Sequence, residues 1–240
     1  MSPGPGTRPG DADAATPLAP IVISRGSAIN RTSAPRISCE RTAEALAALL
    51  DTCSTPHDGS AWWSTAVWSG DTRTKTDETW LHADCVAIDV DHAEDRRLTD
   101  DERLELHALR PSLPGSVYYD SPKGFRAVAI LAERNRIAEL QDAAQLGLAA
   151  LTAAALTPLP WLQIDQGVAA DARGRALYPP RGNPKPYKEP RPRDARCVVL
   201  REELFSAATL AAAAPPPPPK PVPTWSLARS RPSWVCSITR

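Results

Sequence analysis

Residues Cys85–Asp91 (CVAIDVD) are a short run of β-branched and small apolar residues that ends in two acids. This pattern predicts a buried strand whose C-terminal end opens into a site. Side chains alternate across a strand, so Asp89 and Asp91 would point to the same face, with their backbone positions about 6 to 7 Å apart. Two converging carboxylates repel each other unless a cation neutralises them, and hard divalent ions such as magnesium or manganese prefer oxygen ligands. We therefore predict that Asp89 and Asp91 hold a divalent metal ion.

The acid pair alone leaves other interpretations open. Phosphatases with an aspartyl nucleophile and metal-dependent glycosyltransferases carry similar pairs, and a solvated strand end would need no metal. The phosphatase interpretation is disfavoured because His92 and Ala93 follow the pair, where Thr or Gly normally stands. The glycosyltransferase interpretation is disfavoured because no nucleotide-binding pattern precedes the pair.

Hydrophobic periodicity and turn residues predict the remaining elements. Helices are expected at Glu40–Leu50, at Asp95–Leu109 with Leu98, Leu104 and Leu109 facing inward, and at Glu133 to about Leu156. Strands are expected at Ser116–Tyr119 and Phe125–Leu131, joined as a hairpin, near Ala176–Tyr178, and at Cys197–Leu200. The aromatic tract around Trp62 and Trp68 fits either a strand or a packed loop.

Proline and alanine content divides the chain into three parts. Residues 1–19 are rich in Pro, Gly, Ala and Asp without periodicity, which predicts a disordered N-terminus. Residues 20–205 are expected to form the folded catalytic domain. Residues 206–240 are an Ala/Pro-rich linker with a short tail, which is either a docking peptide or the remnant of a longer protein.

Charge and cysteine content limit the partners and the cellular location that we expect for the protein. The chain has 28 basic and 28 acidic residues, so any attraction to nucleic acid must be local. It shows no secretory pattern and no stretch approaching the ~20 apolar residues of a membrane span, so we expect no membrane contact and a cytoplasmic location. Its five scattered cysteines form no C-x-x-C pair and are expected to be reduced, with Cys85 in the core.

The predicted hairpin carries a second candidate site. Ser121, Lys123, Gly124 and Arg126 place a hydroxyl, two cations and a glycine within six residues. Lysine offers a point charge and arginine a bidentate fork, so the segment is suited to a triphosphate. The alternative is an ordinary turn with solvated charges.

A third candidate segment follows the long helix. Asp165 comes directly after an apolar run that contains Leu162 and Ile164. Behind it lies a local basic patch that could follow a template strand or a phosphate chain, or could be a solvated loop. The patch comprises Arg173, Arg175, Arg181, Lys185 and Lys188.

In order and spacing, these three segments resemble the motifs of the archaeo-eukaryotic primase superfamily, especially the primase-polymerases of plasmids, phages and mobile elements. The resemblance covers roughly residues 60–200. Asp89 and Asp91 match the family's paired-acid strand, and Asp165 matches its later single acid. The family usually has Ser-x-His in its second motif, whereas this chain has Ser121-Pro-Lys-Gly-Phe-Arg126, so Lys123 or Arg126 would stand in for the histidine.

The resemblance implies an α+β fold, with an RNA-recognition-like antiparallel sheet, flanking helices and a small N-terminal α/β unit. It implies a two-metal primase/polymerase acting in DNA replication, with Mg²⁺ or Mn²⁺ held by Asp89, Asp91 and Asp165. Partners would be a single-stranded DNA template and nucleoside triphosphates, with a replicative helicase in trans, since the chain has no G-x-x-x-x-G-K-[ST] motif. Triphosphate contacts would come from Ser121, Lys123, Arg126 and Arg175.

Further expectations concern residues around this core. His92 is expected beside the acids as a supporting or surface residue, and Arg73 and Lys75 near the nucleotide. Two alternatives to polymerisation remain: another two-metal phosphoryl-transfer enzyme, such as a nuclease or phosphatase, and a degenerate replication protein that binds nucleic acid without turnover.

Overall fold

The structure is a computed structural model that describes residues 18–26, 33–53, 62–71, 78–165, 167, 173, 176–180 and 196–216. Within these ranges the chain combines antiparallel sheets with helices, as the predicted α+β class requires. No helix in the described part of the chain is long and apolar enough to cross a membrane.

A small α/β unit comes first. Strands β1 (Ile21–Gly26), β2 (Arg36–Cys39) and β3 (Trp62–Ser64) form an antiparallel sheet in the order β2-β1-β3. Helix α1 (Ala43–Thr52) begins after Thr42, whose hydroxyl accepts a hydrogen bond from the backbone N–H of Ala45 at 3.1 Å. This cap satisfies one of the N–H groups that the first turn leaves without a helical partner.

A larger antiparallel sheet forms the centre of the molecule. It runs in the order β4-β5-β7-β6-β9, and β8 pairs with β5 outside this path. Its strands are β4 (Ala66–Trp68), β5 (Trp80–His92), β6 (Val117–Asp120), β7 (Gly124–Asn135), β8 (Leu162–Ile164) and β9 (Val198–Val199). The predicted hairpin is β6-β7, and the predicted strand at Cys85–Asp91 is the second half of β5.

The two faces of the central sheet are covered differently. Helices α2 (Asp100–Leu109), α3 (Ala138–Ala155) and α4 (Ala207–Ala212) share one core with Val86, Ile88 and Val90 of β5. The N-terminal unit shares the other core with Cys85 and Ala87. Side chains alternate along a strand, so Asp89 and Asp91 continue the row of Cys85 and Ala87. The acid pair therefore lies at the end of the face that the N-terminal unit covers.

The predicted helix at Asp95–Leu109 begins later than expected, at Asp100. Thr99 and Glu102 form a capping box, in which each side chain accepts a hydrogen bond from the other residue's backbone N–H. The expectation that Leu104 faces inward was wrong, because its side chain is 67% exposed.

The predicted helix at Glu133–Leu156 also begins later, because the strand before it is longer. β7 continues to Asn135, and α3 starts at Ala138. The side-chain oxygen of Asn135 accepts a hydrogen bond from the backbone N–H of Ile137 at 3.0 Å, which turns the chain between the two elements.

Two later strand predictions are met only in part. Residues Ala176–Tyr178 contribute an isolated backbone pairing between Leu177 and Trp63 rather than a strand. The strand expected at Cys197–Leu200 is reduced to the two residues of β9, which pair with β6.

Side chains complete the outer edge of β5, the edge that faces away from β7. β4 pairs with the first part of this edge and β8 with the last part. Between them, Gln141 of α3 donates to the carbonyl of Cys85 at 3.0 Å. Gln145 accepts from the N–H of Ala87 and donates to its carbonyl. Both glutamines are buried, so they take the place of a strand along this segment.

Helix α4 extends the packed structure beyond residue 205, where the linker was expected to begin. Leu210 is only 1% exposed and belongs to the core beneath α3. The two helices cross closely, since a Cβ at Gly147 of α3 would overlap the carbonyl of Leu210. The alanine-rich segment therefore packs as part of the folded domain.

We expect Leu210→Ala to lower the free energy of unfolding by about 2 kcal/mol, near the lower limit for a buried leucine because α4 is short. Thermal or denaturant unfolding measures the change. Leu151→Ala is the matched control, since Leu151 on α3 is 40% exposed. Equal effects of the two substitutions would show that α4 contributes no more than a surface contact.

Candidate active site

Asp89 forms a buried ion pair with the strand beside it. It lies directly opposite Arg126 in the pairing of β5 with β7, and Arg126 Nη2 is 2.5 Å from Asp89 Oδ2. The two side chains are 9% and 8% exposed. A pair so far from water is held by strong attraction, but both groups have lost most of their hydration.

Asp91 lies two residues further along the same face and is partly buried. Burial raises the pKa of its carboxyl to about 6, and the charges of Asp89 and Asp165 raise it as well. Arg126 and Lys123 act in the opposite direction without cancelling the rise. Three carboxylates and two cations therefore share one electrostatic environment, in which the negative charges predominate.

Asp165 reaches this environment through main-chain pairing. Val90 of β5 faces Ile164 of β8, and the N–H of Asp165 donates to the carbonyl of Asp89 at 2.9 Å. The Asp165 side chain accepts a hydrogen bond from the N–H of Gly167 at 2.7 Å. The structure thus brings all three predicted acids to one end of β5.

The β6-β7 turn lies beside the acids. Ser121 is 4% exposed, and its hydroxyl has no hydrogen-bond partner among the described residues. Lys123 is ion-paired with Asp95, which lies in the loop after β5. Gly124 faces Asp91 across the strand pair, so the turn delivers its hydroxyl and ammonium to the edge of the acid cluster.

Gly124 allows the turn to approach β5 closely. A Cβ at this position would overlap the carbonyl of Val90. We expect Gly124→Ala to lower the free energy of unfolding by about 1 to 3 kcal/mol, because backbone atoms must move apart. A denaturant titration measures this change, and Gly70→Ala is a control without a steric clash, although its φ of 73° carries some strain. A Gly124→Ala protein as stable as wild type would contradict the close approach.

The ring of Tyr119 packs against the Arg126 guanidinium, and Tyr119 was not predicted from the sequence as a site residue. The guanidinium lies over the tyrosine ring, 5.9 Å from its centroid. The Tyr119 hydroxyl accepts from Trp63 Nε1 at 3.0 Å and donates to the carbonyl of Tyr178 at 2.9 Å. In the structure Tyr119 pairs with Arg126 across β6 and β7, so the two side chains lie on the same face of the sheet. The sequence indicated only that side chains alternate along β6.

His92 points to the opposite face of β5 from Asp91. Its ring stacks on Trp161 with centroids 5.8 Å apart, and Nδ1 accepts from the N–H of Glu94 at 3.0 Å. Nε2 lies 3.5 Å from a carboxylate oxygen of Glu102. The histidine is 2% exposed and packs between the loop and helix α2, so it supports the strand end without joining the acids.

The basic patch lies mostly outside the described residues. Arg175, Arg181, Lys185 and Lys188 fall there, as do Arg73 and Lys75. Arg173 is described, and its guanidinium is 2.9 Å from Asp142 of α3. This arginine is therefore engaged with the helix layer of the protein itself.

The acids have the donor chemistry of a divalent-cation site. Asp89 Oδ1 is buried without a hydrogen-bond partner among the described residues, which leaves one hard oxygen available. The other oxygen of Asp89 is held by Arg126. In the described ranges no three His, Cys, Asp or Glu side chains are already grouped around a metal position. The oxygens of Asp89 and Asp91 thus have the chemistry that a hard cation prefers, although Arg126 already pairs with one of them.

Comparison with known proteins gives a similarity in structure but none in sequence. No protein-family model and no curated protein matches the chain. Among solved structures, it is similar to the AEP domain of the cyanophage S-2L primase-polymerase (PrimPol). The TM-score is 0.44 and the identity 12%, over 81% of this chain and 89% of that chain. A similarity of this size does not establish family membership.

Proposed function

We propose that the protein is a metal-dependent nucleotidyltransferase of the primase-polymerase type, which joins nucleotides on single-stranded DNA during DNA replication. The pairing of β8 with β5 carries the proposal, because it sets Asp165 beside Asp89 and Asp91. A strand-end acid pair occurs in several enzyme classes. A third acid from a distant segment adds hard oxygen ligands, which would help to hold the two cations used in nucleotidyl transfer.

Each residue of the cluster has a role in this proposal. Asp89, Asp91 and Asp165 would hold Mg²⁺ or Mn²⁺, which when bound would activate a 3′-hydroxyl and stabilise the departing pyrophosphate. Arg126 and Lys123 would bind the triphosphate of the incoming nucleotide, and Ser121 would hydrogen-bond a phosphate or sugar oxygen. Arg175, outside the described residues, is proposed as a further nucleotide contact.

The partners follow from the same chemistry. The template would be single-stranded DNA and the substrates nucleoside triphosphates, while strand separation would come from a helicase acting in trans. The basic segment after Asp165 is the proposed template contact, since lysine and arginine side chains neutralise backbone phosphates.

A second candidate is a protein that binds nucleotide or nucleic acid without turnover. The Arg126–Asp89 ion pair favours it, because an arginine already holds one oxygen of a proposed metal ligand. A nuclease or phosphatase using the same acids would release nucleotides instead of incorporating them.

Incubation with labelled nucleoside triphosphates and a single-stranded DNA template, with Mg²⁺ or Mn²⁺, distinguishes these functions. Polymerisation predicts labelled products longer than the starting material, with or without a primer. Shortened template or released phosphate would indicate hydrolysis. Retention of template or nucleotide without product would indicate a binding protein, and either of these results would overturn the proposal.

A further inference from the structure

The Arg126–Asp89 pair joins two groups that the proposed reaction needs apart. Asp89 is a proposed ligand of the cation, and Arg126 is a proposed ligand of the triphosphate. In the structure they bind each other through single atoms, Arg126 Nη2 and Asp89 Oδ2. Each proposed ligand thus neutralises the charge of the other.

Both side chains keep buried polar atoms that form no hydrogen bond with the described residues. Arg126 Nε and Nη1 are buried and have no hydrogen-bond partner in the described part of the chain. Asp89 Oδ1 is in the same condition. Buried donors and acceptors are normally paired, so Arg126 can still bind an anion through these donors and Asp89 can still bind a cation through this oxygen.

Separating Asp89 from Arg126 costs free energy if only the cation or only the triphosphate binds. A cation that draws Asp89 away from Arg126 would leave a guanidinium that is 8% exposed without its hydrogen-bonded counter-ion, since Asp91 acts on Arg126 only through its charge. Tyr119 beneath the guanidinium offers only its ring face, and its hydroxyl is already bound to Trp63 and Tyr178. A triphosphate removes this cost, because its oxygens match the arginine fork.

We propose that Arg126 blocks the metal site until a nucleoside triphosphate arrives, so that Asp89 exchanges its arginine partner for a divalent cation only when both ligands bind together. The inference rests on the proposed function. Its consequence is coupling: the triphosphate strengthens cation binding, and by thermodynamic reciprocity the cation strengthens triphosphate binding to the same degree.

Lys123 makes a similar but weaker contact. Its ammonium is paired with Asp95, which takes a left-handed backbone conformation (φ 55°) in the loop after β5. The lysine side chain is 35% exposed, so water can replace this partner at little cost. The coupling therefore depends on Arg126 rather than on Lys123.

The test is the affinity for Mn²⁺ alone, measured on the full-length protein by the loss of the electron paramagnetic resonance signal of free Mn²⁺. Arg126→Met removes the guanidinium and keeps much of the side-chain volume. We expect Mn²⁺ to bind this variant about tenfold more tightly than wild type, and a nucleoside triphosphate to bind it about tenfold more weakly. Arg126→Gln, which can still hydrogen-bond Asp89, should behave in the same direction and serves if the Met variant does not melt cooperatively.

Arg103→Met is the matched control. Arg103 is 3.6 Å from Asp120 on the helix-covered face of the sheet, so its loss should leave Mn²⁺ affinity at the wild-type value. Wild-type protein that incorporates nucleotides, together with Arg126 variants that bind Mn²⁺ no more tightly than wild type, would overturn the blocking role alone. If wild type neither incorporates nucleotides nor, with a triphosphate present, binds Mn²⁺ beyond the amount that the triphosphate binds by itself, both the proposed function and this inference fail.

Discussion

Asp165→Asn is expected to reduce nucleotide incorporation at least about a hundredfold while leaving the melting temperature unchanged. The substitution keeps the size of the side chain and its ability to accept the hydrogen bond from Gly167. It removes the negative charge beside Asp89 and Asp91, which should weaken cation binding. A hundredfold loss corresponds to about 3 kcal/mol of transition-state stabilisation, within what one metal ion supplies. Initial rates at saturating Mg²⁺ or Mn²⁺ measure the effect.

Asp101→Asn is the matched control for this experiment, since Asp101 is an exposed acid in the first turn of α2. Its incorporation rate should equal that of wild type. Asparagine and aspartate suit turns about equally well, so an Asp165 that only shapes the chain after β8 would tolerate the change. Near-wild-type incorporation by Asp165→Asn would therefore count against the primase-polymerase proposal, whatever the roles of Asp89 and Asp91.

Asp84→Asn is expected to lower the free energy of unfolding by about 3 to 5 kcal/mol. Asp84 is fully buried and lies 2.6 Å from Arg41 and 3.0 Å from Arg134, and it accepts from the N–H of Val22 at 2.9 Å. The substitution leaves Arg41, whose side chain is 2% exposed, without a counter-charge. Denaturant unfolding measures the loss. Because this cluster joins the N-terminal strand β1 to β5 and β7, the loss should also loosen the unit that covers the acid pair.

Asp142→Asn controls for removing a paired carboxylate. Its ion pair with Arg173 is much more exposed, at 39% and 25%, so we expect a change of about 1 kcal/mol or less. If Asp84→Asn cost no more than this control, the buried cluster would not hold the two units together.

The Asp84 cluster also makes stability depend on pH. Burial alone would raise the pKa of Asp84, but hydrogen bonds from Arg134, Arg41 and Val22 lower it below the usual value of 3.8. A carboxyl with a lowered folded-state pKa stabilises the fold above pH 3.8, and this contribution is lost as the pH falls through the folded-state value. The stability difference between wild type and Asp84→Asn should therefore shrink in acid.

Local sequence pattern was sufficient for the strand and the turn that carry the candidate site. The run CVAIDVD is apolar and partly β-branched from Cys85 to Ile88, which indicates a buried strand, and Pro122 with Gly124 indicates a turn. The Arg126–Asp89 pair could not be predicted in this way, because the register between two strands depends on contacts along their whole length. Asp84 escaped notice for a related reason, since a charged residue before an apolar run normally marks the strand's exposed start.

Helix α4 could not be predicted for a different reason, because its local sequence resembles a linker. Residues Ala207–Ala212 precede a proline run, and alanine-rich sequence beside proline is typical of a linker. The segment belongs to the core only because Leu210 packs closely against Gly147 of α3. That contact depends on where α3 lies in the fold, which the local sequence of the segment does not indicate.

The two glutamines of α3 also bear on how the molecule behaves at high concentration. An unpaired strand edge can recruit a strand from another molecule and start sheet-to-sheet aggregation. Gln141 and Gln145 occupy the main-chain groups of Cys85 and Ala87 that such a strand would need. The amide side chains thus protect the segment of β5 that leads to Asp89 and Asp91 from intermolecular pairing, while the last residues of the strand pair with β8.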